Sequence, residues 1–148
     1  MKKTLKKDKS LLLTEAVING ILEKKGHDIV CLDLTKVNST ICDYFIICHG
    51  DSHPQVVTLA NSIEEQTIKI LGERPWHREG FQNSQWVLLD YVNVVAHVFL
   101  KETRHFYNLE GLWADAEVLK ISDEGLLKSS KKIKSKPVLI KKIHKVKK

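Results

Sequence analysis

The chain has 148 residues, 43% of them hydrophobic, which is enough to bury the core of one domain without disulfides or a structural metal. Its longest leucine run, residues 11–13, is far shorter than the roughly 20 apolar residues that a bilayer-spanning helix requires. No apolar stretch follows the N-terminal lysines as it would in a signal peptide. We therefore expect a cytoplasmic protein that is neither secreted nor inserted in a membrane.

The positive charge of the chain is concentrated at its two ends. The formal net charge is +6, yet residues 10–127 hold nine basic and seventeen acidic residues. Residues 1–9 hold five Lys and one Asp, and residues 128–148 hold ten Lys and no acidic residue. An acidic body favours a basic protein partner, whereas lysine-rich ends favour phosphate backbones. A large ribonucleoprotein particle offers both.

The first half of the chain predicts two helices and two strands. Apolar residues at helical spacing predict a helix over 10–25 with Ser10 as a possible N-cap, and alternation predicts a strand over 29–35. A dense β-branched and aromatic run predicts a buried strand over 41–48. Asp51 or Ser52 is then available to cap a helix that ends near Leu71.

The second half predicts a short strand near Trp76, a β-hairpin formed by residues 85–91 and 94–100, and a final helix over 102–119 that Asn108 and Gly111 could split. Helices that alternate with strands in this order favour an α/β fold, a mixed β-sheet of about five strands flanked by helices. We expect three regions: a basic N-terminal arm over 1–9, an α/β domain over 10–120 and a Lys-rich flexible tail over 121–148.

The hairpin is the most informative element. If two residues, Val92 and Asn93, join its strands, pairing places Trp86, Leu88 and Asp90 on one side of the sheet. A two-residue turn normally requires positive φ at its central positions, which valine resists, so either the turn is wider or Val92 is strained.

The face that carries Trp86 has two interpretations. Helices could cover both faces of the sheet, with Asp90 hydrogen-bonded to His97 across a diagonal. Alternatively, part of this strand pair is a docking surface, because Trp is a frequent anchor of protein interfaces. The hairpin pattern alone does not choose between them.

Three blocks of sequence resemble the Iojap/RsfS family of ribosomal silencing factors. The first is Asp-Tyr-Phe-Ile-Ile-Cys at 43–48, followed by Gly-Asp-Ser at 50–52 and Gln-Val at 55–56. The second is Trp-Val-Leu-Leu-Asp-Tyr at 86–91 with Val-Val-Ala-His-Val-Phe at 94–99. The third comprises Arg104, Phe106, Tyr107, Leu109, Glu110, Leu112, Trp113, Asp115 and Ala116.

The resemblance implies a nucleotidyltransferase-like topology without catalytic residues. It implies a protein that binds the large ribosomal subunit through universal large-subunit protein fourteen, blocks association with the small subunit and represses translation under nutrient limitation. The family's interface implies partner-binding residues at Trp86, Leu88, Asp90 and Tyr91, with the 50–52 loop nearby. By strand pairing, however, Tyr91 falls on the opposite face. The family usually has Gly-Asp where this chain has Val92-Asn93, and the Lys-rich extension after about residue 120 lies outside the shared pattern.

Enzymatic alternatives find weaker support in the sequence. The main alternative is a metal-dependent nucleotidyltransferase-like enzyme, which would need clustered carboxylates to hold two metal ions, but Asp33 and Asp90 each stand alone. Cys48, His49, His53 and His77 could also be considered as ligands of a zinc ion. However, Cys48 and His49 are neighbours on a predicted strand and point to opposite faces, so they cannot easily bind the same ion. We therefore expect no catalytic residues, metal or cofactor.

The remaining expectations concern the cysteines and the tail. Cys31, Cys42 and Cys48 fall in predicted strands, where they would act as small core side chains in a reducing compartment. The tail contains no Arg and no aromatic residue, so it could bind ribosomal RNA only through phosphates. Its candidate contacts are Lys131, Lys132, Lys134, Lys136, Lys141 and Lys142. We expect a monomer or a weak homodimer.

Overall fold

The computed structural model describes residues 2–37, 42–113 and 115–122, with side chains from residue 9 onward. The elements in chain order are α1 (Lys2–Glu23), β1 (His27–Asp33), β2 (Tyr44–Gly50), α2 (His53–Leu71), β3 (His77–Glu79), β4 (Trp86–Asp90), β5 (Val94–Leu100), α3 (Lys101–Tyr107), α4 (Leu109–Leu112) and β6 (Glu117–Lys120). The predicted α/β class with a mixed sheet is confirmed. No helix in the described part of the chain has the length and hydropathy to cross a membrane.

The sheet has six strands in the order β3-β4-β5-β2-β1-β6. Only the central pair, β2 and β5, is parallel, and every other neighbouring pair is antiparallel. The parallel partner of β2 is thus the second strand of the hairpin, not the first. Strand β5 is completely buried except at its last residue, as expected for a strand covered on both faces.

Helices α1 and α2 pack together on one face of the sheet, which we call the helical face. The two helices approach closely at Gly20, where an added Cβ would lie 2.6 Å from the Cα atom of Ile63. The Ser62 hydroxyl donates a hydrogen bond of 2.7 Å to the Gly20 carbonyl at this crossing. The main hydrophobic core lies between these helices and the inward-facing residues of β1, β2, β4 and β5.

A second, smaller core lies on the opposite face, which we call the groove face. Its buried members include Leu32, Ile47, Val95, Phe99 and Val118, contributed by four strands. Helices α3 and α4 lie at this side, and the partly buried Trp86, Leu88 and Trp113 pack against the cluster. The two short helices contain eleven residues together, so they cover less of the sheet than the two long helices opposite.

Helix α2 confirms its predicted ends. The Ser52 hydroxyl accepts a hydrogen bond from the Gln55 amide, the Gln55 side chain accepts one from the Asp51 amide, and Pro54 lies in the first turn. Gly72 ends the helix in the left-handed conformation with φ of 68°. Buried Cys31, Cys42 and Cys48 confirm the predicted core role of the cysteines.

The start of α1 differs from the prediction. The helix begins at Lys2, so residues 2–9 are helical and continuous with residues 10–23. Ser10 is not its N-cap: it is buried within the helix, and its hydroxyl donates to the Asp43 carboxylate at 2.7 Å. This bond joins α1 to the chain that enters β2, a tertiary contact that helical periodicity does not reveal.

The predicted helix over 102–119 is split at Asn108, as the sequence allowed, and its last residues form a strand instead. Helix α3 ends at Tyr107 because Asn108 adopts the left-handed conformation with φ of 48°, and only the short α4 follows. Residues 117–120 instead form β6, which pairs with β1 in the register Asp33 to Glu117 and adds the sixth strand. The pairing satisfies the backbone groups of an otherwise open edge of β1, an effect of tertiary structure.

Residues Val92 and Asn93 join β4 to β5 by the tight connection that the sequence predicted. The Tyr91 amide donates to the Val94 carbonyl at 2.8 Å, and the Asn93 amide donates to the Tyr91 carbonyl at 3.0 Å. This second bond spans two residues and makes a γ-turn centred on Val92, whose φ is 76°. Of the two possibilities that the sequence left open, the tight turn with a strained Val92 is therefore the one observed.

Replacing Val92 by glycine should stabilise the protein. A valine at positive φ destabilises the folded state by on the order of 1–3 kcal/mol. Glycine removes this strain, but its greater conformational freedom in the unfolded chain reduces the gain by roughly 0.5–1 kcal/mol. Val92 is 54% exposed, so little packing is lost. We expect Val92→Gly to raise the free energy of unfolding by about 1 kcal/mol in urea denaturation. Asn93→Gly is the control, because Asn93 lacks positive φ, and it should give no gain. A less stable Val92→Gly protein would contradict a strained turn.

Candidate functional site

The β4–β5 register brings three predicted site residues to the groove face. Trp86 pairs with Phe99, Leu88 with His97 and Asp90 with Val95, as the two-residue turn predicted. Directly paired residues in antiparallel strands point to the same side, so Trp86, Leu88 and Asp90 follow one another along a single face. All three are half-buried, in alternation with fully buried Val87 and Leu89.

An open groove of about 590 Å³ lies on this face, and we call it the docking groove. Two of the predicted residues, Leu88 and Asp90, line it. The other lining residues are mostly apolar or aromatic: Leu34, Cys42, Phe45, Trp76, Val92, Val95, His97 and Trp113. An exposed apolar surface of this kind, with a few polar groups, is typical of a binding site for another molecule.

Asp90 holds the turn end of the groove. One oxygen of its carboxylate, Oδ1, accepts a hydrogen bond of 2.7 Å from the Val92 amide, and its backbone carbonyl accepts one of 2.7 Å from the Trp76 amide. The predicted hydrogen bond from Asp90 to His97 is not formed. His97 has Trp86 as its partner, which leaves the Asp90 carboxylate facing the groove.

Trp86 lies beside the docking groove and packs into the smaller core. Its indole Nε1 donates to the Nδ1 atom of His97 at 3.1 Å. Its ring lies 4.7 Å from the ring of Phe99 and 5.1 Å from that of Tyr107, measured between centroids. Trp86 therefore supports the sheet face as well as bordering the groove.

His97 forms part of the groove floor as a neutral side chain. It is buried, and burial lowers the pKa of its imidazole to about 3. Because Nδ1 accepts from Trp86, the ring hydrogen must be on Nε2, which finds no hydrogen-bond partner among the described residues. At neutral pH the carboxylate of Asp90 is thus the sole charged group among the residues that line the groove.

Tyr91 is separated from the other three predicted residues and lies on the opposite face of the sheet. Its side chain is buried on the helical face, and its hydroxyl lies 3.0 Å from that of Thr67 in α2. Alternation along the strand, which places Asp90 on the groove face, requires Tyr91 to point the other way. The structure gives Tyr91 a packing role.

Two tryptophans of the groove were missed by the sequence analysis as site residues. Trp76 is 79% exposed, Trp113 is partly buried, and both line the groove. A large aromatic residue within the polar segment 73–84 was a signal for Trp76. Trp113 was missed because it fell within the predicted helix over 102–119. Its position in the groove depends on where α3 ends and on how the chain continues to β6.

The loop over 50–52 was expected near the interface. It follows β2 at the end of the sheet where Gly50 pairs with Leu100 and His49 with Phe99. Trp86 lies at that same end, with β5 between it and β2, because Trp86 also pairs with Phe99. The docking groove, in contrast, extends toward the Asp90 end, so the loop does not line it.

A second cavity of about 560 Å³ surrounds the buried Arg104, a residue of the third family-like block. Its guanidinium forms a 2.7 Å ion pair with Glu110, lies 3.0 Å from His49 Nδ1 and donates to the His27 carbonyl at 3.4 Å. Burial and the nearby Arg104 charge lower the pKa of His49. These bonds join α3 and α4 to β1 and β2. Arg104 and Glu110 therefore have a structural role.

The residues considered for catalysis or metal binding are dispersed. Burial raises the pKa of Cys48 to about 12 and that of Cys42 to about 11, so neither thiol is activated as a nucleophile. Cys48 lies in the helical-face core, whereas His49 faces Arg104 on the other side. Asp33 and Glu117 are cross-strand neighbours, which the sequence analysis missed. Within the described ranges, no three His, Cys, Asp or Glu side chains are grouped to hold a metal ion.

The predicted RNA-contact lysines, from Lys131 to Lys142, lie outside the described residues.

Sequence comparison identifies similarity along most of the chain. A family model described as ribosomal silencing factor during starvation matches residues 7–144. The match extends well beyond residue 120, so the expectation that the Lys-rich extension lies outside the family pattern is wrong. It covers all six strands and includes most of the tail.

Individual relatives and solved structures agree with the family match. The ribosomal silencing factor RsfS of Halalkalibacterium halodurans is 38% identical over 119 residues, which cover 78% of this chain and 95% of that protein. A Mus musculus protein named mitochondrial assembly of ribosomal large subunit protein 1 is 25% identical over 113 residues, covering 72% of this chain and 50% of its own length. A crystal structure of a Chromobacterium violaceum protein has a TM-score of 0.65 at 36% identity, covering 70% of this chain and 84% of that one.

The buried His97 should make the protein sensitive to acid. The unfolded chain binds a proton at His97 near pH 6.5, but the folded chain does so only near pH 3. Between these values the unfolded state binds more protons, so the free energy of unfolding decreases as the pH is lowered. In His97→Asn the amide oxygen can still accept from Trp86, while the titrating group is removed. We expect the loss of unfolding free energy between pH 7 and pH 5 to be smaller in His97→Asn by roughly 2 kcal/mol, measured by urea denaturation. Equal losses in both proteins would contradict a neutral buried His97.

Proposed function

We propose that this chain, which belongs to the family of ribosomal silencing factors, binds the large ribosomal subunit through universal large-subunit protein fourteen. Bound there, it blocks association with the small subunit and represses translation under nutrient limitation. The protein acts in the cytoplasm, where the two subunits meet. The name of the Mus musculus relative, which refers to assembly of the ribosomal large subunit, supports that subunit as the partner.

The observation that carries the proposal is the docking groove beside the strand that the family resemblance implicates. Leu88 and Asp90 lie in its lining, and Trp86 donates a hydrogen bond to His97, which also lines it. Two independent lines of reasoning, strand pairing and family resemblance, lead to these same three residues. The helical face is covered by α1 and α2, so the groove face is the side of the sheet with room for a partner.

The charge of the domain supports a protein partner for this groove. Residues 10–127 carry seventeen acidic side chains against nine basic ones, and Asp90 places one negative charge directly in the groove. A carboxylate at the contact surface repels phosphate groups and attracts a basic protein surface. Contact with ribosomal RNA is therefore assigned to the lysines of the tail, which begin at residue 128.

The proposed mechanism is steric and involves no catalysis. Asp90, the acid considered for a metal-dependent reaction, is engaged with the backbone of the turn through Val92. The buried cysteines keep their protons because burial raises their pKa, and His97 is a neutral partner of Trp86. The cysteines and His97 therefore serve the structure, and Asp90 keeps only its second carboxylate oxygen for a partner. Silencing then follows from the presence of a folded domain where the small subunit would dock.

Sedimentation of purified subunits tests the function directly. We expect the wild-type protein to sediment with large subunits and to lower the yield of joined ribosomes when both subunits are mixed. Leu88→Ala should weaken binding by about tenfold or more, because it removes an apolar contact in the groove. Ile70→Ala is the matched control: Ile70 is a partly exposed aliphatic residue of α2 on the opposite face of the sheet, and its truncation should leave binding unchanged.

Thermal melts of the variants accompany these binding measurements. Trp86→Ala is less informative than Leu88→Ala, because truncating Trp86 also removes the hydrogen-bond partner of His97 and core contacts with Phe99. A protein that never sediments with large subunits would contradict the proposed function. Equal loss of binding in Leu88→Ala and Ile70→Ala would contradict the location of the contact surface.

The lysine tail should act as an electrostatic tether to ribosomal RNA. If about five to eight of its lysines neutralise phosphates, affinity falls steeply with salt because counterions are released. We expect deletion of residues 128–148 to flatten the plot of log affinity against log salt while the domain still binds large subunits. Substitution of Lys24 and Lys25 by Gln, in the turn that follows α1, is the control for general loss of charge and should change the slope less. An unchanged slope after deletion would mean that the tail makes no phosphate contacts.

A further inference from the structure

We propose that Trp76 and Asp90 together form a binding site for one basic side chain of the partner protein, an arginine or a lysine. The site deepens the proposed function and rests on it, because it assigns a chemistry to one end of the docking groove. The indole face of Trp76 would cover the cationic group, and the carboxylate of Asp90 would accept its hydrogen bond. An exposed tryptophan next to a single carboxylate is the juxtaposition that leads to this inference.

The backbone fixes the two residues next to each other. Trp76 precedes the edge strand β3, whose first residue, His77, pairs with Asp90. The Trp76 amide donates to the Asp90 carbonyl at 2.7 Å, and both residues line the docking groove. With 79% of its surface exposed, the Trp76 side chain contributes little to the core, so its apolar surface is available to a partner.

The carboxylate of Asp90 has one oxygen available for a partner. Oδ1 accepts from the Val92 amide, whereas Oδ2 makes no hydrogen bond with any part of the chain that the structure describes. Since His97 is neutral, the groove lining carries one uncompensated negative charge. The other acid at this edge, Glu79, already pairs with His77 at 2.6 Å.

Aromatic and acidic groups at one place select a cation. A guanidinium or ammonium group is attracted to the face of an indole ring, and Trp is the strongest of the aromatic residues in this respect. Arginine suits the site best because its planar group can stack on Trp76 and at the same time donate to Asp90. A nucleic-acid base could also stack on Trp76, but the adjacent carboxylate repels the phosphates on either side of that base.

A double-mutant cycle tests whether the two residues bind one group. Affinity for purified large subunits is measured for the wild type, Trp76→Ala, Asp90→Asn and the double variant. Asn retains an oxygen for the Val92 amide, and Trp76 is mostly exposed, so all four proteins should melt alike. We expect each single substitution to weaken binding about fivefold or more, and the double variant to be little weaker than the worse single one, because both residues contact the same cation.

Matched substitutions on the helical side control for general effects. Leu12→Ala removes an exposed apolar side chain of α1, and Glu65→Gln removes an exposed acidic charge of α2. Both should bind as the wild type does. Trp76→Phe, which keeps an aromatic face, should recover part of the affinity that Trp76→Ala loses.

Three results would overturn the shared cation site. Trp76→Ala could bind as tightly as the wild type, or the two losses could multiply in the double variant, which would mean separate contacts. Asp90→Asn could bind more tightly, which would point to nucleic acid stacked on Trp76. Each of these three results requires that the wild-type protein binds large subunits. If the wild type does not bind, the proposed function is wrong, and the proposed cation site is wrong with it.

Discussion

The register of the β4–β5 hairpin determines which side chains lie on the groove face. Because side chains alternate along a strand, a shift of one residue would move Trp86, Leu88 and Asp90 into the helical-face core and bring Val87 and Leu89 to the surface. The two-residue connection at Val92-Asn93 prevents this shift. The Asn93 carbonyl also accepts hydrogen bonds from the amides of Asp43 and Tyr44, so the turn is joined to the start of β2 as well as to β4. A strained residue is maintained by the bonds around it.

The two faces of the sheet differ in how much of their apolar surface is covered by helices. Long helices seal the helical face, and a close crossing at Gly20 holds them together. The groove face has only short helices, fixed by the buried Arg104 and its bonds to Glu110 and His49. A stable support on one side therefore allows the other side to expose aromatic and apolar residues without unfolding.

The two polar groups of the groove lining, His97 and Asp90, are each held by a hydrogen bond within the hairpin. His97 is held neutral by burial and by its bond from Trp86, and Asp90 is fixed by the turn. Neither group has the other as a partner, so no acid–base pair is formed between them. A rigid surface with one negative charge and several aromatic faces suits recognition of a basic protein, consistent with the family to which the chain belongs.

Much of this architecture could be predicted from the sequence because it depends on local patterns. Alternation predicted the hairpin and the face of Trp86, Leu88 and Asp90, and the predicted cap at Ser52 and end near Leu71 match the ends of α2. Pairing also gave the opposite side for Tyr91, which the family resemblance had counted among the contacts. The family itself was evident from three short blocks. These features are set by neighbours that are near in sequence or directly paired.

Only the tertiary structure decided the rest, because the forces concerned act between distant segments. Residues 117–120 form a strand because β1 offers an open edge between 84 and 90 residues earlier in the chain, although their own sequence suggested a helix. His97 pairs with Trp86, not Asp90, because of how the rings pack across the hairpin. Trp76 and Trp113 line the same groove, although they are 37 residues apart in the chain. Trp76 is placed there by the pairing of β3 with β4, and Trp113 by the path of the chain from α4 to β6. Local patterning determined which residues face outward, and long-range packing determined which of them form a site.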